Sequence, residues 1–554
     1  MTTRGWKRTL LRCVALILLI AVPAGVFGWY QFFRELPQPS WVTDDPEMNF
    51  LYGSIGGEAV SGFPYWLIVV LPRIFGEYVP GPGGYAAFGL PWEEGRELPV
   101  GFSKKTVGFE RVGFNCAVCH ATQYRITEEQ TPVIVAGGGS HTTDVQALLE
   151  FLSKCAEDER FNADNILYEI DLVTRLGFVE RAIYKYLLIP VVRDLLRDQG
   201  EAWAWTESRP RWGPGRDAPM NLTKFNLLGW TEDDGSIDHT DFPSLWNLQT
   251  RVQPHRVWPP DDHSLTADFD KLDIPLERMM LMNLAGDTTS YRSVIVDSAL
   301  GLQPPTDGGL PTPSPVTPFF RQRVAEIEDW ILHTPAPEYP LEVDLALATE
   351  GAALFETHCA VCHEPGRENR MGTVIPLEEI GTDGERAWAW TQAAADGANQ
   401  VVVNELGMER TPMSKPYDGY VALQLDGLWL RGPYLHNGSV PTVRALLEPP
   451  ECRPTVFYRG YDLLDGENLG FVSQRCEEKE GGEAPEPITY IAEGCGSEPI
   501  VAGCVPDRKG WRFDTAERGN GNAGHLWGTE LADQEKDALV EYLKERDRRS
   551  GGSS

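Results

Sequence analysis

Basic side chains are in short supply in this chain of 554 residues: 49 Lys and Arg stand against 81 Asp and Glu, a formal charge of −32 at neutral pH. So acidic a surface repels phosphate backbones and anionic lipid, which argues against a nucleic-acid partner. Long apolar runs are also missing beyond the first thirty residues. Tyr65 to Phe75 is apolar, but Pro72 interrupts it and it is too short to cross a bilayer, so it reads as a core helix. No sequence repeat extends beyond one five-residue signature, and 42% hydrophobic content excludes wholesale disorder. At roughly 150 residues per domain, the length accommodates two or more cores. Cysteine is sparse, with ten residues in the chain.

Four of those cysteines lie in the repeated signature, Cys116-Ala117-Val118-Cys119-His120 and Cys359-Ala360-Val361-Cys362-His363. C-x-x-C-H is the attachment pattern of c-type haem: two thiols on one helical turn face a single porphyrin edge, and the adjoining imidazole swings under the iron. A disulfide or half a zinc site followed by histidine is not expected twice with the same five residues. The reading is two covalently bound haem c groups on Cys116, Cys119, Cys359 and Cys362, with His120 and His363 as axial iron ligands.

The first residues form a targeting segment. Arg4, Lys7, Arg8 and Arg12 precede a charge-free stretch from Cys13 to Tyr30 that ends in Trp29 and Tyr30, as an interfacial anchor does. The positive-inside rule leaves the N-terminus in the cytoplasm and the bulk on the periplasmic side of a bacterial inner membrane, single-pass anchored. Secretion after signal cleavage is the alternative, with a poorly formed small-x-small site in Val22-Pro23-Ala24-Gly25-Val26. An oxidising compartment suits Cys452, Cys476, Cys495 and Cys504, which read as two disulfides with three pairings open. Cys155 reads as a buried thiol.

The pattern beyond the anchor is mainly α with long connections. Asp144 to Leu152 reads as an N-capped amphipathic helix, and Leu172 to Leu196 has helical apolar spacing with a break at Pro190. A Pro-rich stretch, Gln303 to Pro318, separates the halves. A helix through Phe319 to Ile331 then leads to the linker His333-Thr334-Pro335-Ala336-Pro337. Gly351, Leu354 and Phe355 place a helix directly before Cys359; Asp533 can cap another whose Leu539, Val540 and Leu543 form an apolar stripe, and the two should cross. The expected organisation is 1–31 anchor or signal, 32–335 N-terminal haem domain with extensions, 336–548 C-terminal cytochrome c domain, and 549–554 disordered tail.

Several stretches resemble exported dihaem proteins of the bacterial cytochrome c peroxidase superfamily, in the rubber oxygenase branch. They are Gly432-Pro433-Tyr434-Leu435-His436-Asn437-Gly438-Ser439-Val440-Pro441-Thr442 and Gly519-Asn520-Gly521-Asn522-Ala523-Gly524-His525-Leu526-Trp527-Gly528-Thr529, with Leu71-Pro72, Pro99-Val100-Gly101-Phe102, Gly213-Pro214-Gly215-Arg216 and Asp241-Phe242-Pro243-Ser244-Leu245-Trp246. The resemblance implies two cytochrome c-like haem domains. The N-terminal haem would be open on its distal side to oxygen, and the C-terminal haem closed by two protein ligands for electron transfer. It makes His525 the distal ligand of the second haem; Met413 is the rival, since His/Met ligation is common in small cytochrome c domains and adds a sulfur-to-iron band. Tyr434 or His436 would bond a propionate of that haem, and the Gly and Pro around them describe a tight turn, so iron ligation by His436 ranks below. Trp246, ahead of Trp230, would lie between the haems. A calcium ion between the domains occurs in relatives, but no ligand cluster in this sequence demands one.

Two classes of function follow. One is a haem oxidoreductase, peroxidase-like or dioxygenase-like, acting on oxygen or peroxide at the His120 haem and exchanging electrons with a donor or acceptor protein. The other is a pure relay with two six-coordinate haems and no substrate chemistry. No acid/base pair can be set over the first haem from sequence; Arg216 and Glu93 are the only candidates.

Overall fold

The computed structural model describes residues 3–249, 327–364, 370–406, 418–477, 486–491 and 510–550, with Leu284, Arg323, Lys415, Cys495, Cys504 and Val505 as single positions. About 46% is helix and 14% strand, in agreement with a mainly α fold. The strands form seven sheets of two or three strands among the described residues. The Gln303 to Pro318 stretch, most of the expected Phe319 to Ile331 helix, and Met413 lie outside the described residues.

The N-terminal helix, Thr3–Phe32, contains one segment, Leu11–Phe32, with a mean hydropathy of 2.3. It is long and apolar enough to cross a membrane, as an anchor or as a signal sequence.

The first half is built on helix Tyr65–Ile74, in which Leu67, Ile68, Val70 and Leu71 have no exposure. Pro72 has no N–H for the carbonyl of Ile68, and the Tyr85 hydroxyl donates to that oxygen at 3.0 Å instead. Helix Val145–Glu157 contributes to the same core, capped as expected by the Asp144 carboxylate, which accepts from the Ala147 N–H at 2.8 Å. Cys155 on this helix is a fully buried free thiol. Leu172 to Leu196 does break, but at residues 174–177 and not at Pro190. A π-helical segment, Tyr184–Leu188, joins Phe178–Ile183 to Ile189–Ala202. The wider π turn removes the need for an i to i−4 bond just where proline cannot donate one.

In the second half, helix Leu345–His358 crosses helix Asp533–Ser550 as the apolar stripes imply, burying Phe355, Leu539, Val540 and Leu543. The crossing is close because Gly351 has no side chain: a Cβ there would come within 1.9 Å of the Ala538 carbonyl oxygen. Asp533 is the first helical residue and pairs with Arg444 at 2.9 Å, while the Ala532 N–H donates to Glu535. The helix runs through Ser550, past the expected tail boundary; residues 551–554 are not among those described. Of the three disulfide pairings open in the sequence, Cys452–Cys495 and Cys476–Cys504 are formed.

The joint between the halves is packed. Thr334 O accepts from the Asn247 N–H at 2.9 Å, Pro337 O accepts from the Trp429 indole at 3.0 Å, and Ala336 is buried. Across the joint, Arg459 pairs with Asp241 at 2.6 Å and Arg125 with Asp462 at 2.9 Å.

Candidate haem-binding site

Both C-x-x-C-H motifs open onto one cavity. Its volume is about 510 Å³, and its lining includes Cys116, Cys119, His120, Cys359, His363 and His525. Each motif ends in a four-residue helix, Ala117–His120 and Ala360–His363. The four thiols are free, not joined as disulfides.

At the first motif, Asn115 caps the turn: its side-chain oxygen accepts from the Ala117 N–H at 2.9 Å, and its amide donates to Gly53 O at 2.9 Å. Gly101, from the Pro99-Val100-Gly101-Phe102 stretch, has φ +88°, and a Cβ there would lie 2.5 Å from the Val118 nitrogen. Only glycine lets the hairpin Phe102–Val107/Phe109–Phe114 approach the motif so closely. Among the described residues the second motif has no such hairpin. It continues from the long helix Leu345–His358.

The two motif histidines are held alike. His120 Nδ1 donates to Pro243 O at 2.9 Å, and His363 Nδ1 donates to Leu423 O at 2.6 Å. In each ring this fixes the tautomer and leaves Nε2 as the free lone pair for a metal. Burial lowers both pKa values to about 4, so the rings are neutral and can ligate.

His525 faces His363. The ring centres are 6.3 Å apart, and burial together with the neighbouring His363 lowers the His525 pKa to about 3. Two imidazoles bound at about 2.0 Å to opposite sides of one metal, each nitrogen about 1.1 Å from its ring centre, have centres about 6 Å apart. The separation in this structure is that of a pair with one metal atom between. His525 has φ +50°, in the left-handed region that non-glycine residues seldom occupy. Its backbone is fixed there by His525 N–H donating to Ile380 O at 2.7 Å, and by Arg453.

Arg453 was not singled out from the sequence. It has no exposure, and its guanidinium donates to the carbonyls of Asn522, Gly524, His525, Leu446 and Glu448 at 2.6–3.2 Å. One arginine therefore shapes the loop that presents His525. The only sequence signal was an arginine close to the Gly432 to Thr442 stretch. That stretch bonds directly to the His525 loop: Asn437 donates to Gly519 O and Gly521 O, and Ser439 donates to Gly521 O.

His436 lies in the cavity wall, its ring stacked on Tyr420 with centres 4.1 Å apart. Its carbonyl accepts from Thr240 Oγ1 and from the Asp241 N–H, which ties the turn to the first half. Tyr434 lines the cavity too, but its hydroxyl lies 3.1 Å from the backbone oxygens of Leu428 and Leu469, to which it donates. Arg216 and Glu93 are not in the cavity lining. Arg216 is buried and bonds Asn520 at 2.7 Å and the Trp212 carbonyl; Glu93 accepts from Tyr52 and Arg96. Trp230 packs both on the Trp205–Trp212–Phe225 cluster of the first half and on the Trp390–Ala394 cluster of the second. Trp246 is buried between the halves, its ring against the positions where Gly137, Gly138 and Gly427 would carry Cβ, and its indole donates to Ala136 O at 3.0 Å.

The remaining lining suits a flat apolar group with anionic substituents. Ile55, Leu248, Ile331, Leu428, Leu539 and Leu543 supply apolar wall. Among the cavity residues, Arg386 is 5% exposed, yet its Nε and Nη1 have no hydrogen-bond partner among the described residues; Thr382 Oγ1 and Arg459 Nε are likewise unmatched there. Orphaned buried cationic donors are costly unless an anion meets them, and haem carboxylates have that charge. The residues present therefore fit haem.

Residues 419–458, which span the Gly432 to Thr442 turn, Arg453 and Leu423, match the RoxA-like, cytochrome c-like family. This region is thus similar to the cytochrome c-like domain of RoxA-type proteins. It carries the implication of covalently bound haem c. Two relatives from Sinorhizobium fredii (strain NBRC 101917 / NGR234) are similar over part of the chain. Uncharacterized protein y4iM is 32% identical over 251 residues, 38% of this chain and 51% of its own length. Uncharacterized protein y4iJ is 28% identical over 268 residues, 36% of this chain and 39% of its own length. The matched region thus spans about half or less of these curated relatives.

Proposed function

We propose that this protein is an exported, membrane-anchored dihaem c-type cytochrome in which electrons pass between two unlike haem sites, with oxygen or peroxide chemistry at the first. The observation that carries the reading is the single cavity shared by both C-x-x-C-H motifs and His525. Haem c, once bonded to the thiols, supplies one-electron redox chemistry and, at an open axial position, a place for a diatomic or peroxide ligand. Cys116 and Cys119 hold one group and Cys359 and Cys362 the other. His120 and His363 are the axial ligands, and His525 completes the second site in preference to Met413.

The asymmetry between the sites favours an enzyme over a pure relay. Of the other two cavity histidines, His141 stacks on Phe471 and bonds Thr122 through Nδ1, and His436 stacks on Tyr420. Among the described residues no second imidazole is paired with His120 as His525 is with His363, and in this reading the first site is the one open to an exogenous ligand.

A bonded route joins the two proximal rings. From His120 it passes through the Pro243 carbonyl and along the backbone to Asn247. The Gln424 side-chain amide donates to Asn247 O at 3.2 Å, and the carbonyl preceding Gln424, on Leu423, accepts from His363. Trp246 lies on the same segment and fills the space between the halves. These residues support electron exchange without a long gap; a basic electron donor or acceptor protein would complement the acidic surface.

The test is a pyridine haemochrome titration with a carbon monoxide difference spectrum on the purified full-length protein. Two covalent haems per chain, of which one binds carbon monoxide, is the expected result. A single haem sinks the dihaem reading; two haems that both ignore carbon monoxide leave the relay.

A further inference from the structure

The helical run from Phe178 to Ala202 carries apolar side chains on its outward side as well as its buried one, with exposed Asp194 and Asp198 among them near its end. One side, with Tyr184, Leu188, Ile189, Val192 and Leu196, is buried in the core of the first half. The other faces out. Leu187, Val191 and Leu195, spaced by four, are 42%, 45% and 54% exposed, and Val179, Tyr186 and Phe178 beside them are 40%, 76% and 89% exposed. The preceding helix, Ala163–Val173, adds exposed Tyr168, Leu172 and Val173, and is tied to this run by the ion pairs Arg181–Asp171 and Lys185–Asp164. Single exposed apolar side chains are ordinary, but nine in one stretch of sequence are not.

The position of this face relative to the N-terminal helix suggests what covers it. That helix ends at Phe32, and the chain is fastened within four residues: the Gly108 N–H donates to Arg34 O at 2.8 Å, the Leu36 N–H donates to Thr106 O at 3.0 Å, Glu35 pairs with Lys105, and Arg111 donates to Phe32 O. The turn at Gly108 presses on the helix end so closely that a Cβ there would lie 2.2 Å from Gln31 O. A stapled tether of four residues spans at most about 14 Å. The hairpin Phe102–Val107/Phe109–Phe114 therefore stays beside any bilayer that the helix crosses. The same hairpin leads to the apolar face. Helix Tyr65–Ile74 packs against both strand Phe109–Phe114 and helix Ala163–Val173. Glu110, two residues past the turn, is near enough that its charge adds to burial in raising the pKa of Glu180 and Tyr184 on the apolar run.

We propose that the exposed face of residues 168–195 rests in the lipid interface of the bilayer crossed by Leu11–Phe32, giving the protein a second, monotopic membrane contact. Its occupant is lipid acyl chain and glycerol backbone, met by apolar side chains with Tyr168 and Tyr186 at the polar boundary. Because the chain carries −32 overall, anionic headgroups add nothing to this contact. The inference rests on the retained-anchor reading.

Full-length protein reconstituted in phosphatidylcholine vesicles doped with a diazirine-tailed phospholipid tests it, with lipid adducts mapped by mass spectrometry and the N-terminus read from intact mass. Adducts are expected in two places, 11–32 and 168–195. The variant Phe178→Glu/Tyr186→Glu/Val191→Glu, checked for an unchanged haem spectrum, should lose the second set by about tenfold or more while keeping the first. Adducts at 11–32 alone overturn the second contact and leave the anchor standing. Protein–protein cross-links across 168–195 in place of lipid adducts overturn it in favour of a second copy. If intact mass finds the first segment removed, the anchor reading fails; the face then stands only if the cleaved protein floats with the vesicles and labels at 168–195, and falls if it stays in the aqueous fraction.

Discussion

The same five residues, C-A-V-C-H, sit on two different scaffolds. The first copy is wedged between a β-hairpin and the strand Ala121–Tyr124, capped by Asn115, and its histidine has no imidazole facing it among the described residues. The second runs out of a long helix crossed by the C-terminal helix, and a glycine-rich loop brings His525 opposite its histidine. In the dihaem reading proposed above, the motif sets where haem would be bonded, while its surroundings decide whether the iron would stay open. A haem closed on both sides favours electron transfer; an open one admits chemistry.

The largest effect that could break this contrast is at Arg453. Arg453→Ala strips five carbonyls of their buried partner and is expected to cost about 3–5 kcal/mol of stability. It should also make the second haem reactive to carbon monoxide, measured by the number of carbon monoxide molecules bound per chain. His525→Ala should have the same spectroscopic result with a much smaller loss of stability, raising carbon monoxide stoichiometry from one to two. If stoichiometry does not change, Met413 or another ligand closes that site, and a sulfur-to-iron band in the near infrared would identify the methionine.

A third variant asks whether the unlike sites communicate along the bonded route. Gln424→Leu keeps the size of the side chain but removes the donor to Asn247 O. Electron equilibration between the haems, followed after flash release of carbon monoxide from the half-reduced protein, should slow severalfold, with the two optical spectra unchanged. No change in rate would assign the transfer to Trp246 alone or to direct haem contact.

The smallest effect concerns Asp547, which accepts from the Gly427 N–H at 2.9 Å beneath Trp246. Burial raises its pKa to about 7, above the unfolded value of about 3.9. The folded protein then holds a proton that the unfolded chain releases. Its contribution to stability is full below about pH 4, declines as pH rises through 7, and is flat beyond. Asp547→Asn keeps an acceptor for Gly427 without the charge. It should be more stable than the parent at pH 8, with the difference shrinking to near zero by pH 4, as measured by denaturant unfolding at both values.

Much of the fold was legible because it followed short-range rules. The Asp144 cap, the apolar helix Tyr65–Ile74, and the crossing of Leu345–His358 with the last helix all come from periodicity and capping residues within one turn of each other. Pro190 misled because the π segment before it is a feature of packing, not of composition. Tyr434 shows the same limit at the site: a hydroxyl beside a haem motif suggests a propionate partner, yet its bonds go to carbonyls contributed by Leu428 and by Leu469, thirty-five residues on.

By itself, the sequence determined the chemical groups on offer: two thiol pairs with adjoining imidazoles, an apolar N-terminal segment, and an excess of acidic side chains. These are properties of residues a few positions apart, so no folding is needed to read them. Only the tertiary structure decided that both motifs share one cavity, that His525 lies 6.3 Å from His363, that Arg453 holds it there, and that Cys452 pairs with Cys495. Each of these joins residues tens to hundreds of positions apart, whose meeting depends on packing energies summed over the whole chain.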